Sequence, residues 1–195
     1  MSYGDVTKVV SGFAKIYLLE TAITTPPITA GAITDLDSDT TWIKLGYTQD
    51  GINQNIETET YEVEVDQEEG PVQSVIAKQT ATVSTILAET NLLNLARVIH
   101  GAAYTAGGTT ASTANVMGIG GGTQSFNSLA IISNGPETNL DRLDFYPKVK
   151  PSGSIAEAFK RGESHQVPIE FMAYADNSIA AGSRLRVSHE ETTAA

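Results

Sequence analysis

The chain has 195 residues, of which 41% are hydrophobic and 18% charged, and a formal net charge of −11. That is enough apolar material for a core and too little charge for a disordered chain, so a single domain with long arms is expected. Cysteine is absent, which excludes disulfide frameworks and cysteine-based zinc or thiol chemistry. So acidic a chain is also a poor sequence-specific DNA binder, because phosphate affinity needs clustered cations.

Met1 to Asp5 lack the basic-then-apolar pattern of a secretory leader, and no window approaches the ~20 apolar residues of a membrane span. The expected product is soluble and made in the cytoplasm. Phe13 to Glu20 reads as a mostly buried strand. Thr21 to Thr41 follows, with Pro26-Pro27, Gly31 and three aspartates, and is expected to be irregular and floppy in an isolated monomer. Trp42 to Tyr47 is a short second strand.

Asp50 to Glu69 holds eight acids and no Lys or Arg. Within it Tyr61, Val63 and Val65 alternate with Glu62, Glu64 and Asp66, the period of a half-buried strand. An acidic hairpin arm over 49–73 is expected. Val75 to Leu87 alternates more loosely, with Val75, Ala77, Ala81, Val83 and Leu87 on one face. One helix is expected at Asn91 to His100, with Thr90 as N-cap and Gly101 as the left-handed stop. Its apolar stripe is Leu92, Leu95, Ala96 and Ile99.

Residues 102–123 form a small, polar, Gly-rich stretch that reads as a flexible loop. Further strands are expected at Phe126 to Ser133, Leu143 to Lys150, Val167 to Ala175 and Arg184 to His189, with a helical turn at Ser154 to Lys160. Pro168 favours an edge or a bulge. From Arg142 to Arg186 there are seven bases against five acids. These pieces add up to a mainly antiparallel β-sandwich with one packed helix and long loop arms, a single domain over 1-195.

Motifs for chemistry are weak. Asp35, Asp37 and Asp39 give D-x-D-x-D, but a calcium loop wants glycine sixth and glutamate twelfth, and Thr40 and Gly46 stand there. A solvated turn is the expectation. Gly118 to Gly122 lacks the Lys-Ser/Thr of a phosphate loop, and Thr123 breaks the dinucleotide frame. His100, His165 and His189 come without a nucleophile elbow. No enzyme activity, cofactor or metal is expected.

One resemblance supplies a function. Gly46-Tyr47-Thr48 with Asp50-Gly51, then Val65-Asp66-Gln67, Gly70-Pro71-Val72, and Leu87-Ala88-Glu89-Thr90 leading into Asn94-Leu95 resemble the major tail tube proteins of long-tailed, siphovirus-like bacteriophages. The resemblance implies a β-sandwich whose six copies close into a ring, with rings stacked by long loops into a hollow tail tube that conducts DNA without binding it tightly. It implies other tail proteins as partners, no membrane for the mature subunit, and a place in the virion tail. The C-terminal immunoglobulin-like domain of some relatives is not expected here.

On this reading the acids Glu62, Glu64, Asp66, Glu68 and Glu69 either line the channel or meet the bases of the Arg142 to Arg186 region on a neighbouring copy, with Arg184 and Arg186 as candidates. Asp50, Gly51, Gln67, Gly70 and Pro71 are candidates for the inter-subunit arm. The alternatives are another tube-like component (a tail terminator, or a contractile-tail or secretion-system tube) and a monomeric adhesive or carbohydrate-binding β-sandwich. Few aromatics, 7% with one Trp, weigh against a sugar-binding face.

Overall fold

A computed structural model of the chain describes residues 13–64, 69–89, 91–99, 101–106, 114–120, 125–135, 140–153, 155 and 166–191. Its elements are β1 Ala14–Leu19, β2 Ile28–Thr29, β3 Ala32–Ile33, β4 Ile43–Lys44, β5 Thr48–Glu64 and β6 Pro71–Leu87. After helix α1, Leu92–Val98, come β7 Ala102–Thr105, β8 Val116–Ile119, β9 Asn127–Asn134, β10 Asp141–Ser152, β11 Val167–Ala173 and β12 Val187–Glu190. The fold is mainly β and antiparallel, with one helix, as the alternation predicts.

Eight strands form one sheet in the order β4-β1-β9-β10-β11-β6-β5, with β12 added on β10. The strand β10 makes this possible by dividing its pairing. Its first half, Asp141 to Tyr146, lies between β9 and β12. The register then shifts between Tyr146 and Val149, and the second half pairs with β11. Pro147 sits at that shift, where a residue without an N–H does least harm to the ladder. The Ser128 hydroxyl donates to the Pro147 carbonyl at 2.7 Å and pins the bend.

Alternation along β1 and β9 feeds two cores. Ile16 and Leu18 join Leu129, Ile131, Val83, Leu87, Val149 and Phe171 in the larger one. Tyr17, Ala130, Leu143 and Phe145 turn to the opposite face, where Leu36 and Trp42 cover them. So the segment 20–42 is not floppy. It lies on the second core with Ile23, Ile28 and Ile33, and is tied down by Ile23 N donating to Ser128 Oγ at 2.8 Å and Ile33 N to Glu191 Oε1 at 2.8 Å. Sequence reasoning missed this because these apolar residues are irregularly spaced.

Other expectations need correction. The strand expected at Trp42 to Tyr47 is only Ile43–Lys44. The helix is capped by Asn91, whose side chain accepts from Asn94 N at 2.8 Å; Thr90 and His100 lie outside the described residues. Its buried face is Asn94, Leu95 and Val98, while Leu92 is exposed. The stripe is therefore rotated by about one position. The stretch 102–123 is partly regular, because β7 and β8 pair from Ala102↔Ile119 to Thr105↔Val116. The turn at 154–160 lies outside the described residues apart from Ile155. Arg184, Leu185 and Arg186 precede the last strand rather than opening it. Pro168 is in an interior strand, but pairing with β10 stops at Ser152↔Glu170, so its β10 side needs no N–H.

Gly46 has φ 91°, and a Cβ there would stand 2.5 Å from Glu89 Oε2. Both the left-handed backbone and the close approach of Glu89 require glycine. Among the described residues no helix is long and apolar enough to cross a membrane.

Candidate assembly surface

The strands β5 and β6 are each 17 residues long, and only their C- and N-terminal portions respectively leave the body of the sheet. β11 supports β6 from Ala81 to Leu87 and no further. Beyond that row β5 and β6 pair only with each other, from Glu57↔Thr80 to Glu64↔Pro71. The result is a two-stranded ribbon, with residues 71–79 all exposed. About nine residues at ~3.4 Å each carry it roughly 30 Å out.

The expected half-buried face is not buried within one chain. Tyr61 is 66% exposed opposite Val75, and Ile76, opposite Thr60, is 58% exposed. Neighbouring strand residues point to opposite faces, so both faces of the ribbon carry apolar groups to solvent. Isolated two-stranded ribbons are marginal in water, and such an exposed edge is a template for another chain.

Glu57, Glu59, Glu62, Glu64 and Glu69 are all exposed on or beside the ribbon. Among the described residues only Glu59 has a cation near, Lys78 at 3.9 Å. Val65, Asp66, Gln67 and Glu68 lie outside the described residues. Gly70 and Pro71 are exposed at the return of the ribbon. Asp50 and Gly51, by contrast, sit in a bulge at its other end. Both have positive φ, 61° and 77°, where the register shifts between Gln49 and Ile52, and Thr85 Oγ1 donates to Gly51 O at 2.6 Å. They shape the edge strand inside the body and are not at the reaching end of the arm.

Of the proposed basic contacts, Arg186 is used within the chain. Its Nη2 is 3.0 Å from Asp144 Oδ1, and its Nε donates to Ser188 Oγ at 2.8 Å. Asp144 is buried and also accepts from Ser188 Oγ at 2.6 Å and Gln54 Nε2 at 3.0 Å. Gln54 in turn accepts from the Tyr146 hydroxyl at 2.6 Å. Burial pushes the Tyr146 phenol up, so it stays a proton donor. Gln54 belongs to β5 and Asp144 to β10, which are far apart in strand order. The sheet therefore curls until its β5 edge meets β10 and β12, and side chains rather than backbone close the seam. The sequence hid this: a lone acid in an apolar run reads as solvent-facing. Arg184 stays exposed, its Nε donating to Ile179 O at 3.3 Å.

A second basic face lies within the Arg142 to Arg186 region that the sequence offers as a contact, built around a ring the sequence does not point to. The Lys148 and Lys150 ammonium groups lie 4.3 and 4.2 Å from the centre of the Phe126 ring. Tyr174 packs edge-on against Phe126 at 5.3 Å.

The three aspartates of the D-x-D-x-D run have separate structural tasks. Asp35 accepts from Asp37 N at 3.0 Å, and Asp39 accepts from Thr41 N at 2.8 Å and Thr41 Oγ1 at 2.6 Å. Asp37 receives Lys15 at 2.5 Å and Lys44 at 3.3 Å. Hydrogen bonds from Lys15 and then the Tyr17 hydroxyl hold the Asp37 carboxyl down at about 2. Its folded pKa is thus below the unfolded value of about 3.9. The stability it contributes is complete above about pH 4 and lost as pH falls through about 2. Asp37→Asn should flatten the acid limb of a melting-temperature profile over that window; an unchanged limb would show that the exposed pair is screened by solvent.

Among the described residues no group of three or more His, Asp or Glu converges on a common point. His189 Nε2 lies 2.9 Å from Gly31 O and ties β12 to the β2–β3 turn, whereas His165 lies outside the described residues. Gly118 is part of β8, opposite Ala103, rather than of a phosphate-cradling loop. Compared with known proteins, the chain matches no family model and no curated sequence.

Proposed function

We propose that this chain is a structural virion protein, the tail tube subunit of a long-tailed phage, which assembles into stacked hexameric rings and conducts DNA without catalysing chemistry. The observation that carries the reading is the protruding β5–β6 ribbon. It holds Tyr61, Val72, Val75 and Ile76 out in water, an arrangement that is stable once another subunit covers them. The acidic surface supports the conduit role, because a wall with few fixed cations gives passing phosphates nothing to hold. On this reading its partners are copies of itself and other tail proteins, and its place is the virion tail.

Electron microscopy of the purified chain, with mass measurement across a concentration series, tests this. Rings or tubes built on hexamers are expected. A species that remains monomeric at every concentration overturns the reading.

A further inference from the structure

We propose that the acidic ribbon of one copy docks on the face formed by Phe126, Lys148, Lys150 and Tyr174 of a second copy. This rests on the assembly reading above and names the receptor for the arm.

The first argument is an inventory of cations. Lys15 and Lys44 are paired with Asp37, Arg97 with Glu20, and Arg142 with Asp144 and Glu190. Arg186 faces Asp144, and Lys78 faces Glu59. Among the described residues Lys148, Lys150 and Arg184 have no carboxylate within ion-pair distance; Arg184 donates to Ile179 O, whereas the two lysines share the Phe126 ring. Two like charges on one ring repel, and a nearby carboxylate relieves that repulsion. The acid near Lys148, Asp176, already accepts from Ser178 N at 2.9 Å and Ser178 Oγ at 2.6 Å. Glu57, Glu62 and Glu64 on the ribbon are exposed carboxylates of the complementary sign.

The second argument is position. Ala81, Ala173, Val149 and Asn127 form one row across β6, β11, β10 and β9. The ribbon leaves the body just past Ala81, and Tyr174 and Lys148 stand one step along from that row on the same side. The basic face is therefore at the foot of the arm. The ladder shifts register between Glu59 and Thr60 and between Val63 and Glu64, yet the two strands stay paired from foot to end, so the ribbon projects away from its own foot and its far half reaches another copy. Tyr61 travels with the acids and brings an apolar ring to Phe126 and Tyr174, so the contact is not charge alone. Donor and receptor are different surfaces, so the contact is heterologous and propagates from copy to copy.

The test uses the full chain in two charge-reversed forms. One carries Lys148→Glu and Lys150→Glu, the other Glu62→Lys and Glu64→Lys. Glu62 and Glu64 are exposed, whereas Lys148 and Lys150 are half-buried against Phe126, so circular dichroism should match the parent and the melting temperature should fall by no more than a few degrees. Sedimentation should show neither form assembling alone at concentrations where the parent does. An equimolar mixture should assemble, because each arm then meets a receptor of opposite sign. Assembly of either reversed form alone, or a mixture that stays monomeric, overturns the docking while leaving the assembly reading intact. A parent that never assembles removes both.

Discussion

Replacing Thr58 to Gln79 with an Asn-Gly turn between Glu57 and Thr80 is expected to give a chain that folds and does not assemble. Those two residues are directly opposite in the ladder, so a two-residue turn of the primed type joins them without strain. What is removed makes no core. The described residues of the excised segment are exposed except Val63, which is half-buried. The melting temperature should therefore shift by only a few degrees, on the order of 1 kcal/mol or less. Assembly, in contrast, should disappear altogether, because the excised segment holds the exposed apolar residues Tyr61, Val72, Val75 and Ile76 and most of the arm's charge. Light scattering reads the outcome directly. A deletion that still forms rings or tubes would assign assembly to the sheet edges of the body and remove the ribbon from the account.

Asp144→Ala is expected to destabilise the fold by about 3–5 kcal/mol. The Asp144 side chain is 6% exposed and the Arg186 side chain 21%. Truncation leaves Arg186 and Arg142 facing one another without their shared carboxylate. Arg142 Nε is already buried without a hydrogen-bond partner among the described residues, so a further loss of compensation falls on a site with no slack. Ser188 and Gln54 also lose their acceptor. Urea unfolding should show a lower midpoint at an unchanged slope. A loss under about 1 kcal/mol would mean that water enters the seam and screens the arginines.

How far the sequence reveals this molecule depends on which face of each strand meets protein. β1, β9, β10 and β11 are legible because their apolar residues are buried where period two puts them, or on both faces. Thr48 to Thr60 gives no such signal, since neither face of that stretch has a constant neighbour. Its strand character rests on Thr, Asn and Glu in an extended ladder with β6, which only the partner strand makes visible. The β7–β8 pair is hidden for a related reason: Ala, Gly and Thr carry little periodicity. At the seam, alternation correctly opposes Arg186 to Val187, yet the arginine turns to a buried acid 42 positions earlier in the chain. No local pattern encodes a contact of that range. Lys148 and Lys150 stand in the basic region that the sequence shows, but their shared ring is hidden, because Phe126 just precedes β9 while the charges lie on β10.

The pairing order also sets a timetable for the nascent chain. β1 is made first, yet its ladder partner β9 is matched from Ala14↔Ser133 to Leu19↔Ser128, so β1 waits for most of the polypeptide to emerge. At ~5–20 residues per second that wait is on the order of ten seconds. β5 and β6 are neighbours in sequence, and a hairpin closes in roughly microseconds. The ribbon can thus form, with the marginal stability of an isolated hairpin, while the body that will carry it is still unfinished. During that interval, crowded nascent copies would be free to pair through their sticky edges. Glu57, Glu59, Glu62 and Glu64, spaced along that edge, would then act as gatekeepers, keeping ribbons apart by mutual repulsion.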